Sequence, residues 1–181
     1  MPRHLVAPVL FCFAAALVTA GAHAAARSPG YGKNGMVVSS SADAARAGAG
    51  ILAAGGNAID AAVATAFAVG VTQPYSAGIG GGAFLLIRLA NGNMVALDAR
   101  ETAPAAATQD MYVVPGVAPK ASLSGALAVA TPGLVAGLAE VQDKYGTLPL
   151  AQVMAPAIAL AREGFALGPY AARMIERMRK H

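Results

Sequence analysis

The sequence predicts an α/β protein of the α+β kind, in which helices are layered against an antiparallel or mixed sheet. Three observations carry this expectation. Residues 42–72 hold two Ala-rich stretches of helical spacing, each preceded by a cap-type residue and separated by Gly55-Gly56. Residues 83–98 read as two short apolar strands joined at Asn91-Gly92. From Thr131 onward the helical spacing returns and continues to the end of the chain.

Residues 1–26 have the order of regions of a secretory signal peptide. Arg3 and His4 form a short positive start, Leu5 to Ala20 is apolar and uncharged, and Ala22-His23-Ala24 and Ala24-Ala25-Ala26 are small-x-small cleavage sites. The run is short for a membrane span, and cleavage-type residues follow it at once. Cys12 lies within the run, and Val9-Leu10-Phe11 does not supply the small-residue box of a lipoprotein. A periplasmic or secreted protein comprising residues 27–181 is therefore expected, with no membrane attachment after cleavage. It has no cysteine, so a packed core must hold it without disulfides.

Much of the 56% hydrophobic content is alanine, and no later stretch has the length and flanks of a membrane span. The net charge of +4 comes from the two ends: between Arg27 and Ala172 eight basic residues face eight acidic ones. No basic stripe interleaved with aromatics is present, so a nucleic-acid partner is not expected.

In order along the chain, residues 27–34 read as an irregular lead-in and Met36 to Ser39 as a short strand. Ser40 or Ser41 caps a helix from about Ala42 to Ala54, with Ala45, Gly48, Ala49 and Leu52 on one face, closed by Gly55-Gly56. Asn57 caps a second helix, in which Asp60 suits the positive end and Ala61 to Val71 carries no charge. That pattern predicts a buried core helix. Ala83 to Leu89 is a strand, Asn91-Gly92 a two-residue hairpin turn, and Asn93 to Asp98 the returning strand, with Arg100 just beyond it. Thr131-Pro132 reads as a helix cap with Pro at the first position, leading to a helix up to about Lys144 that is closed by Gly146. A further helix ends at Gly164, with Pro156 starting or kinking it, and another begins after Gly168-Pro169. The sequence stops inside that last helix, and residue 181 is therefore not expected to be a natural C-terminus.

Few residues offer chemistry. Gly78-Ile79-Gly80-Gly81-Gly82-Ala83 fits the loose dinucleotide pattern, but a helix precedes it and a strand follows, the reverse of what that motif needs. It reads as a bend that requires positive φ and close backbone packing, or as a loop lining a site. His4 and His23 fall within the signal and His181 is terminal, so no Ser-His-Asp triad and no metal site are expected, and no cofactor. Asp98 and Glu101 flank Arg100 and are expected to steer it rather than act as an acid–base pair. At a strand end, Arg100 can present its planar fork to a carboxylate, or it can form a structural ion pair with Asp98 or Glu101.

Residues 35–112 resemble the opening of the γ-glutamyltranspeptidases. The pieces are GGNAIDAAVA (Gly55–Ala64), GIGGGAF (Gly78–Phe84) and LDARETAPAAAT (Leu97–Thr108), extended by TPGLVAGL (Thr131–Leu138) and Lys144–Phe165. Ala83 stands where many members have a further Gly. The resemblance implies an Ntn-hydrolase fold, a four-layer αββα sandwich of two sheets between helical layers, of which this chain is the first part. It implies a precursor that cuts itself into a large and a small subunit, with the N-terminal Thr of the small subunit as nucleophile and its own amine as base. Nothing here matches that Thr, so this chain alone is expected to be inactive. The implied substrate is glutathione or another γ-glutamyl compound, whose γ-glutamyl group passes to an amino acid, a peptide or water. By position, Arg100 matches the Arg that binds the substrate α-carboxylate. The alternatives are a related Ntn acylase of the cephalosporin acylase kind and a non-catalytic binding fragment.

Mass spectrometry of the exported protein should show an N-terminus between Ala22 and Arg27; retention of Met1 would contradict the signal reading.

Overall fold

A computed structural model of the chain describes residues 30–166 and 175–179. Residues 1–32 and 33–181 form separate units; of the first, only 30–32 are described, as irregular chain. The expected signal segment, residues 1–26, and the expected helix start after Gly168-Pro169 lie outside the described residues; 175–178 are helical.

The second unit contains helices α1 (Ala42–Ala53) and α2 (Ala58–Thr72), strands β1 (Ala83–Arg88) and β2 (Met94–Ala99), a short 3-10 turn (Ala126–Ala128), and helices α3 (Leu134–Tyr145) and α4 (Leu150–Glu163). Ser41 caps α1, its side chain accepting from the Ala44 N–H. At the other end Gly55 takes φ +92°. Its N–H bonds the Leu52 carbonyl while the Gly56 N–H bonds Ile51, which satisfies carbonyls the helix leaves open. The buried face of α1 is Ala44, Ala47, Gly48 and Ile51, one residue back from the expected stripe; Ala49 is exposed and Leu52 lies at the flank of the core. Gly48 is common to both stripes and marks the closest approach. A Cβ there would lie 2.1 Å from Thr65 Oγ1 and 2.8 Å from the Ala61 carbonyl, so α1 approaches α2 at its glycine.

The core lies between α1, α2 and α4, with Val63 and Val153 fully enclosed and Phe67 and Leu138 beside them. Helix α2 spans 15 residues, and no described helix is long and apolar enough to cross a membrane. Its Asn57 forms a reciprocal cap. The Asn57 side chain accepts from the Ile59 and Asp60 N–H groups, and the Asp60 carboxylate accepts from the Asn57 N–H.

Met36–Ser39 is not a strand. Its burial alternates residue by residue, with Val37 against the core and Val38 83% exposed, but no described strand pairs with it. The hairpin pairs Ala83 with Ala99 and Arg88 with Met94. Its loop is longer than the expected two residues. Leu89 still bonds Asn93, leaving Ala90, Asn91 and Gly92 in the turn, with Gly92 at φ +88° and its N–H on the Leu89 carbonyl. Thr131 does not cap α3, because its backbone forms a bridge with Thr102; Gly133 takes the cap position instead. Pro156 does not begin α4, which starts at Leu150 and runs through the proline, forgoing one backbone bond there.

Leu85, Ile87, Val95, Leu97 and Ala99 face the helices, whereas Phe84, Leu86 and Met94 point outward and are exposed. A sheet apolar on both faces is one designed for cover on both.

Asp60 is completely buried. Besides the Asn57 N–H, its oxygens accept from Gln142 Nε2 (2.5 Å), Thr147 Oγ1 (2.7 Å), and the Thr147 and Leu148 N–H groups (3.0 and 3.2 Å). Burial alone would raise its pKa. The hydrogen bonds from Thr147, Gln142, Asn57 and Leu148 outweigh that and hold it at about 2. A depressed carboxylate pKa stabilises the fold above the unfolded value, and that stability is lost as pH falls through the folded one. About 2 kcal/mol should therefore disappear between roughly pH 5 and pH 2. In urea unfolding, Asp60→Asn should cost about 3 kcal/mol, since the amide turns one acceptor into a donor facing donors, and should flatten this acid limb.

Candidate functional site

Arg100 follows the last residue of β2 and lies on the outward face, where the two-residue period of a strand also places Asp98 and, across the ladder, Phe84. Three contacts fix its backbone. The Arg100 N–H donates to Asp98 Oδ1 (2.9 Å). The Thr102–Thr131 bridge, with bonds of 3.1 and 2.9 Å, holds the chain just beyond. Beneath lies Gly82, where a Cβ would come within 2.7 Å of the Ala99 carbonyl and of Glu101 Oε2, and 2.8 Å of Arg100 Cα.

In the glycine loop between α2 and β1, space explains Gly82. Within the motif Gly78 has the expected positive φ, at +159°, whereas Gly81 and Gly82 do not, and the expected close backbone packing is present at Gly82. The loop also serves α3. Gly133 has no side chain to cap the helix, and the Gly81 carbonyl accepts from the Gly133 and Leu134 N–H groups (3.2 and 3.0 Å). Gly133 and Gly137, one helical turn apart, lie against the end of β2. A Cβ at the first would be 2.5 Å from the Ala99 and Arg100 carbonyls, and at the second 2.3 Å from Ala99 Cβ. The glycine loop, the α3 N-terminus and the Arg100 strand end therefore form one tightly fitted junction.

The Arg100 side chain is 58% exposed. Its Nε lies 3.3 Å from Glu101 Oε2, and its guanidinium carbon stands over the Phe84 ring at 5.9 Å from the centroid. Of the two flanking acids, Asp98 steers the backbone and Glu101 the guanidinium. Phe84 and the Gly81 carbonyl were not singled out from sequence; the register Phe84↔Asp98, two positions before Arg100, is the signal that could have placed the ring. Two open clefts lie elsewhere, one between α1 and α4 bordered by Asp43, Arg46 and Glu163, the other beside Thr147 and Gln142.

Helices layered on one face of an antiparallel hairpin make this an α+β chain, and the likeness to the solved structures described next makes it part of an Ntn-hydrolase sandwich. A family model described as gamma-glutamyltranspeptidase matches residues 44–181. The chain belongs to the γ-glutamyltranspeptidase family. It is 52% identical over 139 residues to the glutathione hydrolase proenzyme of Escherichia coli (strain K12), a match covering 76% of this chain and 24% of that protein. It resembles the crystal structure of the Helicobacter pylori γ-glutamyltranspeptidase with a TM-score of 0.75 and 45% identity, over 84% of this chain and 44% of that one. It also resembles a cephalosporin acylase from Bacillus halodurans with a TM-score of 0.68 and 38% identity, over 82% of this chain and 29% of that one. The chain spans about a quarter of the length of the curated relatives it matches.

Gly82→Ala should destabilise the chain by about 1–3 kcal/mol, because backbone atoms must shift to admit the methyl group. Gly80→Ala, with open space around it, should change stability by less than about 0.5 kcal/mol. Paired urea titrations test the contrast.

Proposed function

We propose that this chain is the leading part of the large subunit of an exported γ-glutamyltransferase and glutathione hydrolase, and that Arg100 binds the α-carboxylate of the γ-glutamyl donor. In this reading a small-subunit Thr takes up the γ-glutamyl group as an acyl-enzyme and passes it to an amino acid, a peptide or water. Residues 1–26 direct export, and the partner is the small subunit of the same precursor. The observation that carries the reading is the placement of Arg100. Its backbone is held by a strand end, a bridge and the glycine loop, and its side chain remains accessible. A rigid base with an open guanidinium suits two-pronged binding of a carboxylate.

A second reading, an acylase of related fold, is favoured by the similarity to the Bacillus halodurans enzyme. The two differ in whether Arg100 meets a free α-carboxylate on the substrate.

In the full gene product, Arg100→Ala should weaken use of γ-glutamyl donors by about 2–5 kcal/mol, a factor of about 30 to a few thousand, mainly in KM. Arg100→Lys should recover part of this, since the ammonium keeps the charge and loses the fork. Folding and self-cleavage are measured on the same preparations. Unchanged kinetics in a normally cleaved variant would remove Arg100 from the substrate site, and equal losses for donors with and without a free α-carboxylate would favour the acylase reading.

A further inference from the structure

Resting on the reading of Arg100 as the carboxylate-binding residue, we propose that Glu101 and Phe84 are positioning residues that hold its guanidinium with both terminal Nη groups presented to the donor. A guanidinium carries one N–H on Nε and four on the two Nη atoms. Glu101 Oε2 lies 3.3 Å from Nε, on the inner side of the fork. That oxygen is buried and has no hydrogen-bond partner, so the Arg100 charge is what compensates it. It occupies space that glycine leaves free at position 82, where a Cβ would come within 2.7 Å of it. A carboxylate at Nε leaves the Nη edge for a second carboxylate approaching end-on. Phe84 supplies the remaining constraint. Its ring stands 5.9 Å from the guanidinium carbon on the same outward face of the hairpin, and a ring face there attracts the cation and limits its swing out of place.

The two contacts divide the work. Glu101 fixes the Nε side of the fork, and Phe84 limits its swing on the outward face. Both contact the Arg100 guanidinium, and as positioning residues they act on the donor through Arg100 alone. A role confined to the fold would lower the use of all donors alike. A positioning role lowers it selectively for donors with a free α-carboxylate.

The test compares kcat/KM for a γ-glutamyl anilide with that for its α-amide, in the full gene product, on Glu101→Gln, Phe84→Leu, Phe84→Tyr and Arg100→Lys. The ratio of free acid to α-amide should fall about tenfold in Glu101→Gln and about two- to fivefold in Phe84→Leu. It should hold within about twofold in Phe84→Tyr, which keeps the ring. If Glu101→Gln fails to fold or to cleave itself, the two Phe84 variants decide the matter. A ratio that falls in Arg100→Lys but is unchanged in Glu101→Gln and Phe84→Leu overturns the proposal and leaves the Arg100 reading standing. A ratio unchanged in Arg100→Lys as well overturns both.

Discussion

The Asp60 carboxylate accepts from the backbone that starts α2, from Gln142 on α3, and from Thr147 and Leu148 in the connection to α4. These groups lie far apart in sequence, and the charge that joins them sits where no water reaches it. Such a charge is tolerable only because donors surround it. Asn57 adds a second link, its side-chain amide donating to the Tyr145 carbonyl at the end of α3 (2.7 Å). The register of α3 against α2 thus rests on a polar knot at one end. The opposite end of α3 carries Gly133, which meets the carbonyls of Ala99 and Arg100. A helix held at one end transmits its position to the other, so the knot at Asp60 and the strand end at Arg100 share one rigid body.

Small residues do the fitting between these fixed points. Gly48 lets α1 touch α2, Gly137 lets α3 touch Ala99, and Gly82 lets the loop pass beneath Arg100. In each place the missing methyl group replaces what would otherwise be a clash with backbone or with a neighbouring Cβ or hydroxyl. The high alanine content has the same consequence over longer stretches. Ala44, Ala61, Ala64 and Ala68 are buried without side-chain bulk, so the helices meet almost backbone to backbone. Packing of that kind leaves little slack for larger side chains.

Much of this was legible in advance, and several of the exceptions have a common cause. The helix at 58–72, its Asn57 cap, the Gly55-Gly56 stop, the paired strands and the position of Arg100 follow from local spacing and cap chemistry, and the structure reproduces them. Those exceptions depend on partners distant in sequence. Met36–Ser39 has a strand's alternation, but pairing needs a neighbour. Thr131 has a cap's chemistry, but Thr102 claims its backbone. The buried stripe of α1 is set by its packing against α2, where Gly48 meets Thr65, and no periodicity within α1 contains that contact. Asp60 was legible as a first-turn acid; its bonds to Gln142 and Thr147 were not, since they span more than 80 residues. At the candidate site the arginine and its flanking acids could be found in the sequence, whereas the aromatic ring beside it required the strand register.

The outward face of the hairpin has a kinetic meaning. Phe84, Leu86 and Met94 are exposed although their neighbours on the opposite face are covered. No described residue shields them, so any cover comes from outside the described residues. Contacts of large sequence separation form late, since the intervening loop must close first. Until then the hairpin offers an apolar surface and an unpaired edge to any similar chain it meets. During synthesis, the interval between making this hairpin and covering it is a window of aggregation risk, and its length is set by topology rather than by the stability of the core beneath.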